Sequence, residues 1–194
     1  MNEYGSICKY LDIPLQHISD HMLRAMRRGT NRDSTYRLIE TIRSKVPGIA
    51  LRTTLMTGFT GETEQDFEEL CRFVEDTRFD RLGVFTYSHE EQTHAHSYKD
   101  DVPPAVKEQR AAALMKIQQN ISQQLNQLKV GREMKVLFDR KENNYFVGRT
   151  EYDSPEVDNE VWVPAENNYV RLGDFARVRI TEAAEFELYG VPVE

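Results

Sequence analysis

The chain has 194 residues, of which 39% are hydrophobic and 29% are charged, and its formal net charge is −7. This balance excludes a disordered chain and is typical of a soluble globular protein. No apolar run approaches the ~18 residues that cross a bilayer, and residues 1–10 lack a signal-peptide pattern, so we expect a cytoplasmic protein without a membrane partner.

The first 87 residues alternate between strand-like apolar runs and helical segments. The predicted order is a strand over 9–15, a helix after Ser19 and Asp20, a helix capped by Asp33, a strand over 49–59, a helix begun by Thr63 and a strand over 81–87. Asp66, three residues after Thr63, gives that helix a variant of the capping box. Helices placed between strands favour parallel βαβ units. Three strands are too few to close a barrel, so we expect part of a larger α/β fold. A small open α/β domain is the alternative.

A long helix and a second domain follow the polar loop 89–102. Pro103 and Pro104 begin the helix, because proline is favoured in a first turn, and apolar residues recur every three or four positions as far as Leu128. After Gly131 the hydrophobic period becomes two over five short runs, which predicts a small antiparallel barrel. We therefore divide the chain into domains 1–127 and 128–194.

The acidity is concentrated in the second domain. Residues 1–127 carry 16 basic and 18 acidic side chains, whereas residues 128–194 carry 9 and 14, a net charge of −5. Binding to phosphates requires a basic face, so an acidic domain favours a basic protein partner over nucleic acid. A purely solubilising role for the acidic side chains is the alternative.

The two cysteines, Cys8 and Cys71, are 63 positions apart and form no CxxC unit. We expect each to be a buried apolar thiol without a disulfide, and we predict no metal site.

Polar residues follow each of the three predicted strands, where ligands bind in parallel α/β sheets. Gln16 and His17 follow the first strand, either as ligand contacts or as a hydrogen-bonded turn. After the second strand, Gly58 and Gly61 allow close backbone approach and Thr63 begins a helix whose amides can bind an anion. A tight strand-to-helix turn is the alternative there.

The loop after the third strand contains two further pairs. Glu90 and Glu91 form either an acid pair or a solvated surface, and we favour the surface. The spacing of His94 and His96 would allow both side chains to bind one metal ion. No third ligand is evident, so we favour a loop without a metal site.

Four segments resemble the radical-SAM methylthiotransferases in order along the chain: YLDIPLQHISDHMLRAMRRG, LRTTLMTGFTGETEQDFEEL, VFTYSHEEQTHAH and RAAALMKIQQNIS. The motif DIPLQH, which contains His17, resembles the branch of this family that modifies a ribosomal protein. Residues 153–163 resemble that family's TRAM domain. The implied fold is the C-terminal half of a TIM-like radical-SAM partial barrel, followed by a small antiparallel five-stranded, OB-like TRAM barrel.

The resemblance also implies a chemistry and a set of site residues. A full-length enzyme of this family uses S-adenosyl-L-methionine and two [4Fe–4S] clusters to methylthiolate Cβ of an aspartate in ribosomal protein S-twelve. Gln16 and His17 are implied to face the S-adenosylmethionine pocket. The residues implied to shape the other two strand ends are Gly58, Gly61, Glu62, Thr63, Phe85, Tyr87 and Ser88.

Some features depart from the family. Thr60, Gln92 and Asn159 stand where proline, glycine and glycine are usual, and the cysteines that bind the clusters are absent from this chain. We therefore expect the chain to retain no cluster and to be inactive alone, with an open sheet edge that invites dimerisation. Two alternatives remain open, a tRNA adenosine methylthiotransferase and a non-catalytic nucleic-acid-binding module.

Overall fold

The computed structural model describes residue 1 and residues 6–193. The chain forms two compact units, one comprising residues 11–118 and the other comprising residues 119–193 with the described residues up to Tyr10. The last helix of the first domain contributes residues to both units. The domain boundary between residues 127 and 128 stays a prediction.

The first unit has the predicted alternation of strands and helices. Its elements are β1 (Tyr10–Gln16), α1 (Asp20–Ala25), α2 (Arg32–Lys45), β2 (Ala50–Thr57), α3 (Glu64–Thr77), β3 (Arg81–Thr86) and α4 (Pro104–Gln127). The strands form one sheet in the order β1-β2-β3, and β2 and β3 are parallel. A short 3-10 helix, His94–Ser97, interrupts the loop before α4.

Two helix starts show how local hydrogen bonds set the boundaries. Thr63 caps α3 with Asp66 as its reciprocal partner, as the spacing predicted. Asp33 does not cap α2, because Asn31 lies two residues earlier and its side-chain oxygen accepts a hydrogen bond from the Ser34 amide at 2.9 Å. Asp33 instead lies in the first turn, where a negative charge is favourable.

The core of the first unit lies between β2, α3 and the residues that follow α3. Leu55, Leu70 and Phe73 are fully buried. The rings of Phe73 and Phe79 pack edge to face with centroids 5.4 Å apart. Gln118 of α4 donates a hydrogen bond to the Phe79 carbonyl at 2.9 Å, which ties the helix to this core.

The second unit is a closed five-stranded barrel, as predicted. Its strands are β4 (Glu133–Glu142), β5 (Tyr145–Thr150), β6 (Glu160–Pro164), β7 (Phe175–Ala183) and β8 (Glu187–Pro192), in the closed order β4-β5-β6-β8-β7. Four of the pairings are antiparallel and the pairing of β6 with β8 is parallel. The interior is filled by Val136, Phe138, Phe146, Val161, Val163, Val170, Val178, Ile180 and Leu188.

Gly148 allows β4 and β5 to approach closely. A Cβ atom on Gly148 would lie 2.3 Å from the Leu137 carbonyl oxygen and 2.8 Å from Cγ1 of Val136. The β4–β5 register shifts between Phe138 and Arg140, where a bulge bends the strand. A side chain at position 148 would therefore separate the two strands next to the bulge.

Within the part of the chain that the structure describes, no helix is both long and apolar enough to cross a membrane.

We predict that Gly148→Ala destabilises the barrel by about 1–3 kcal/mol, because the added methyl group meets backbone atoms that cannot rotate away. Trp162, the single tryptophan, lies in β6 and reports barrel unfolding in urea by its fluorescence. Val191→Ala on the outer face of β8 is the control and should change stability by less than about 0.5 kcal/mol. Equal urea midpoints for Gly148→Ala and the wild type would refute this packing.

Candidate functional site

Side chains that follow the strands of the first unit meet at one edge of its sheet. Because β2 and β3 are parallel, their carboxyl ends share an edge, which is where open α/β sheets bind ligands. A cavity of about 340 Å³ lies there, lined by Gln16, Ala25, Met26, Arg27, Arg28, Met56, Phe59, His94 and Ala95. Its volume suits a small organic ligand.

Gln16 is the residue of the predicted set that the structure places at this cavity. It ends β1 with φ at 70°, in the left-handed region that side chains other than glycine rarely adopt. Such strained positions concentrate at binding sites. Here Gln16 lines the cavity together with apolar side chains that include Met26, Met56 and Phe59.

His17 does not line this cavity, and its ring is fully buried and hydrogen-bonded within the unit. Its Nδ1 accepts hydrogen bonds from the amides of Ile18 and Ser19, at 2.9 and 3.0 Å. With Nδ1 accepting, the ring proton lies on Nε2, which is 3.4 Å from Oε1 of Glu62. This arrangement corresponds to the hydrogen-bonded turn.

Glu62 joins the ends of β1 and β2 to α4, and its side chain is fully buried. Its Oε2 accepts hydrogen bonds from the Gly58 amide and, at 3.1 Å, from Nη1 of Arg110. The same Nη1 also donates to the Glu62 carbonyl at 3.1 Å, and Nη2 of Arg110 contacts Glu64 at 3.0 Å. The guanidinium thus compensates the charge that burial would otherwise disfavour.

Gly58 and Gly61 are needed for contacts with the protein's own side chains. Both have positive φ, at 72° and 81°. A Cβ atom on Gly58 would lie 2.2 Å from Cγ of Lys107, and the Gly61 amide donates to Asp101 at 2.8 Å. Thr63 completes this turn by capping α3.

Lys107 of α4 stabilises the segment that follows β3. Its Nζ donates to both carboxylate oxygens of Asp100 at 2.8 Å and to the Tyr87 carbonyl at 3.2 Å. The same Nζ lies 4.9 Å from the centroid of the Tyr87 ring, which packs edge to face on Phe59 of the cavity wall. Lys107 therefore acts on the cavity through Tyr87 and Phe59.

The other predicted residues of the third strand end lie on the surface. The side chain of Phe85 is 61% exposed, and Ser88 is exposed and donates to Glu90 at 2.5 Å. His94 lines the cavity and contacts the Tyr98 hydroxyl at 2.9 Å, whereas His96 stacks on His89. Among residues 1 and 6–193, no group of three or more histidines, cysteines and carboxylates is arranged to hold a metal ion.

Five residues that build this site are not indicated by the motifs of the sequence. Met26, Met56 and Phe59 have apolar side chains of the kind that also fill a core. Lys107 and Arg110 lie among the polar positions of α4, where the apolar period gives no signal. Lys107 and Arg110 are three residues apart and therefore share a helix face. Two cations on one face of a long helix were the available signal.

A second cluster surrounds Asp66 at the start of α3. Burial raises the pKa of this carboxyl, but hydrogen bonds from Ser19, Thr63 and His21 outweigh burial and hold the pKa well below its usual range. Thr63 donates from Oγ1 at 2.6 Å, and Nδ1 of His21 lies 3.0 Å away. The folded state therefore favours the ionised Asp66.

The cysteines of this chain do not fit an iron–sulfur cluster, which needs several converging thiolates. Cys8 is exposed. Burial, followed by the charges of Glu75, Glu64 and Glu62, raises the pKa of Cys71 to about 11, which disfavours its thiolate. The apolar cavity with the Gln16 amide does fit part of a nucleoside-sized ligand such as S-adenosylmethionine.

Comparison with known proteins defines the class of both units. Residues 1–74 match the model of the Radical SAM superfamily, and residues 130–193 match the model of the TRAM domain. Among solved structures, coproporphyrinogen III oxidase (HemN) from Escherichia coli, a Radical SAM enzyme, aligns with a TM-score of 0.47 at 21% identity, over 61% of this chain and 27% of its own.

Curated relatives narrow the class to one family. The chain is 62% identical over 98% of its length to the ribosomal protein uS12 methylthiotransferase RimO of Cytophaga hutchinsonii, and 54% identical over its whole length to that of Christiangramia forsetii. It spans 44% and 43% of the lengths of these two relatives. Over its whole length the chain is therefore similar to the uS12 methylthiotransferases, which confirms the resemblance seen in its sequence.

We predict that the stability of the chain falls as the pH drops below about 4. The depressed pKa of folded Asp66 contributes stability that is fully present above the ordinary pKa of the unfolded carboxyl and is lost progressively as the pH falls from there through the folded pKa. Urea unfolding followed by circular dichroism between pH 2 and 7 measures this loss. Asp66→Asn should show a smaller decline with acid than the wild type. Parallel pH profiles for the two proteins would contradict the role of Asp66.

Proposed function

We propose that this chain is part of a radical-SAM methylthiotransferase that modifies Cβ of an aspartate in ribosomal protein uS12. The observation that carries the proposal is the 62% identity to a RimO protein over 98% of the chain. The cavity at the strand ends is consistent with it, since it places the side chains of Gln16, Met56 and Phe59 around a volume of nucleoside size.

In this proposal the strand-end cavity holds part of S-adenosylmethionine, which supplies the radical chemistry when bound in the whole protein. Met56 and Phe59 exclude water from its apolar part, and the Gln16 amide offers a hydrogen bond to its polar edge. The remaining predicted residues shape the surrounding loops rather than touch the ligand, and these are His17, Gly58, Gly61, Glu62, Thr63, Phe85, Tyr87 and Ser88.

The two [4Fe–4S] clusters of the whole protein would take their thiolates from outside this chain. Two cysteines are too few, and Cys71 is held in its thiol form. We therefore propose that the 194-residue chain alone binds its ligands without turning them over.

The barrel is the proposed contact for the protein substrate. Residues 128–194 have a net charge of −5, which complements a basic ribosomal protein and opposes the phosphates of tRNA. The proposal therefore favours uS12 over tRNA as the substrate.

A chimera tests this function directly. The 194 residues replace the matching segment of the Cytophaga hutchinsonii RimO, and the product is reconstituted with clusters and S-adenosylmethionine. Mass spectrometry should find a methylthio group added to an aspartate of uS12. Methylthiolation of tRNA instead, or of neither substrate, would overturn the proposal.

We predict that Gln16→Gly in the chimera raises the Kd for S-adenosylmethionine about tenfold, the loss expected for one hydrogen bond of about 1.4 kcal/mol. Glycine tolerates the positive φ at this position, so the change removes the side chain without adding strain. Gln92→Gly is the matched control, since Gln92 also has a positive φ, at 66°, and lies outside the cavity. Equal affinities in the two variants would exclude a ligand contact by Gln16.

A further inference from the structure

The barrel has a cavity of its own, next to β4 and β5. Its volume is about 510 Å³, and its lining combines these two strands with the loop that precedes β6. We call it the barrel cavity and define it by Asp139, Arg140, Gly148, Arg149, Ser154, Pro155, Glu156, Asn159 and Glu160. All of these residues belong to the second unit.

Asn159 brings an unused hydrogen-bond donor to the barrel cavity. The residue is only 3% exposed, and within the described residues its Nδ2 has no hydrogen-bond partner. A buried amide without a partner is costly, and such groups are rare in native proteins. An acceptor oxygen supplied by a ligand would remove this cost.

The charges around the barrel cavity exclude an anion as that ligand. Arg140 is held by Glu160 at 2.6 Å and by Glu142 at 2.8 Å, and Arg149 is paired with Asp139. Both guanidinium groups are thus already neutralised by carboxylates. Glu156 forms no ion pair with another described residue. The lining therefore contains three carboxylates and two guanidinium groups, an excess of one negative charge.

We propose that the barrel cavity binds an extended, lysine- or arginine-rich peptide segment of the substrate protein. A main-chain carbonyl oxygen of the segment accepts a hydrogen bond from Nδ2 of Asn159, and a basic side chain pairs with Glu156. A peptide supplies both a neutral acceptor and a positive charge, whereas a phosphate or carboxylate supplies the acceptor with a charge that the lining repels. The identity of the basic partner rests on the proposed function.

The binding test uses the 194-residue chain without cluster or cofactor. The probe is a capped octapeptide that alternates lysine with serine, titrated by calorimetry and followed by the side-chain amide resonances of Asn159 in NMR spectra. We expect saturable binding that shifts these resonances. Failure to bind, or the same shift with a glutamate–serine octapeptide, hexauridylate or inorganic phosphate, would overturn the proposal.

Asn159→Leu separates a binding role from a structural one. Leucine has the same number of side-chain heavy atoms with the same branching, and it removes a donor that has no partner. The urea midpoint should therefore stay the same or rise, while the Kd for the lysine peptide rises at least tenfold. Asn168→Leu is the matched control, because Nδ2 of Asn168 donates to the carbonyls of Pro164 and Glu166. It should lower stability and leave peptide affinity unchanged. A destabilised Asn159→Leu with unchanged affinity would assign Asn159 to the fold alone.

The two proposals fail in distinguishable ways. An inactive chimera together with peptide binding at Asn159 would reject the methylthiotransferase function and keep the cavity as a peptide site. An active chimera together with no peptide binding would keep the function and reject the barrel cavity.

Discussion

The first unit depends on one buried ion pair, between Arg110 of α4 and Glu62 of the loop after β2. Glu62 is completely enclosed, and an isolated carboxylate in that place would be strongly disfavoured. The pair is stable because Arg110 also bonds the Glu62 carbonyl, while the Gly58 amide and His17 take up the remaining carboxylate positions. Removal of either charge would leave the other without compensation.

The cavity at the strand ends follows from this constraint. Arg110 fixes the loop after β2, and Lys107, one turn earlier on the same helix, fixes Tyr87 after β3 and packs against Gly58. Phe59 lies between these anchors and forms part of the cavity wall. A wall held by buried charges on a long helix is already ordered before a ligand binds, which lowers the entropic cost of binding.

Structural features that depend on neighbouring residues can be predicted from the sequence, whereas contacts between residues far apart in the chain cannot. Hydrophobic period, proline placement and the Thr63–Asp66 spacing predict the strands, α4 and the cap of α3, because each depends on neighbours within a few residues. The pairing of Arg110 with Glu62 spans 48 positions and leaves no periodic trace. The burial of the His17 ring is also not predictable from local sequence, because its orientation depends on the distant Glu62. The parallel pairing of β6 with β8 likewise depends on how the whole barrel closes.

A double-mutant cycle on Arg110→Met and Glu62→Gln tests this central interaction most directly. Unfolding in urea, followed by circular dichroism at 222 nm, gives the stability of the wild type, both single variants and the double variant. We predict that each single change costs about 3 kcal/mol and that the double variant recovers about 2 kcal/mol of their sum, as for a buried charge pair. Additive losses, with a coupling energy near zero, would contradict the account.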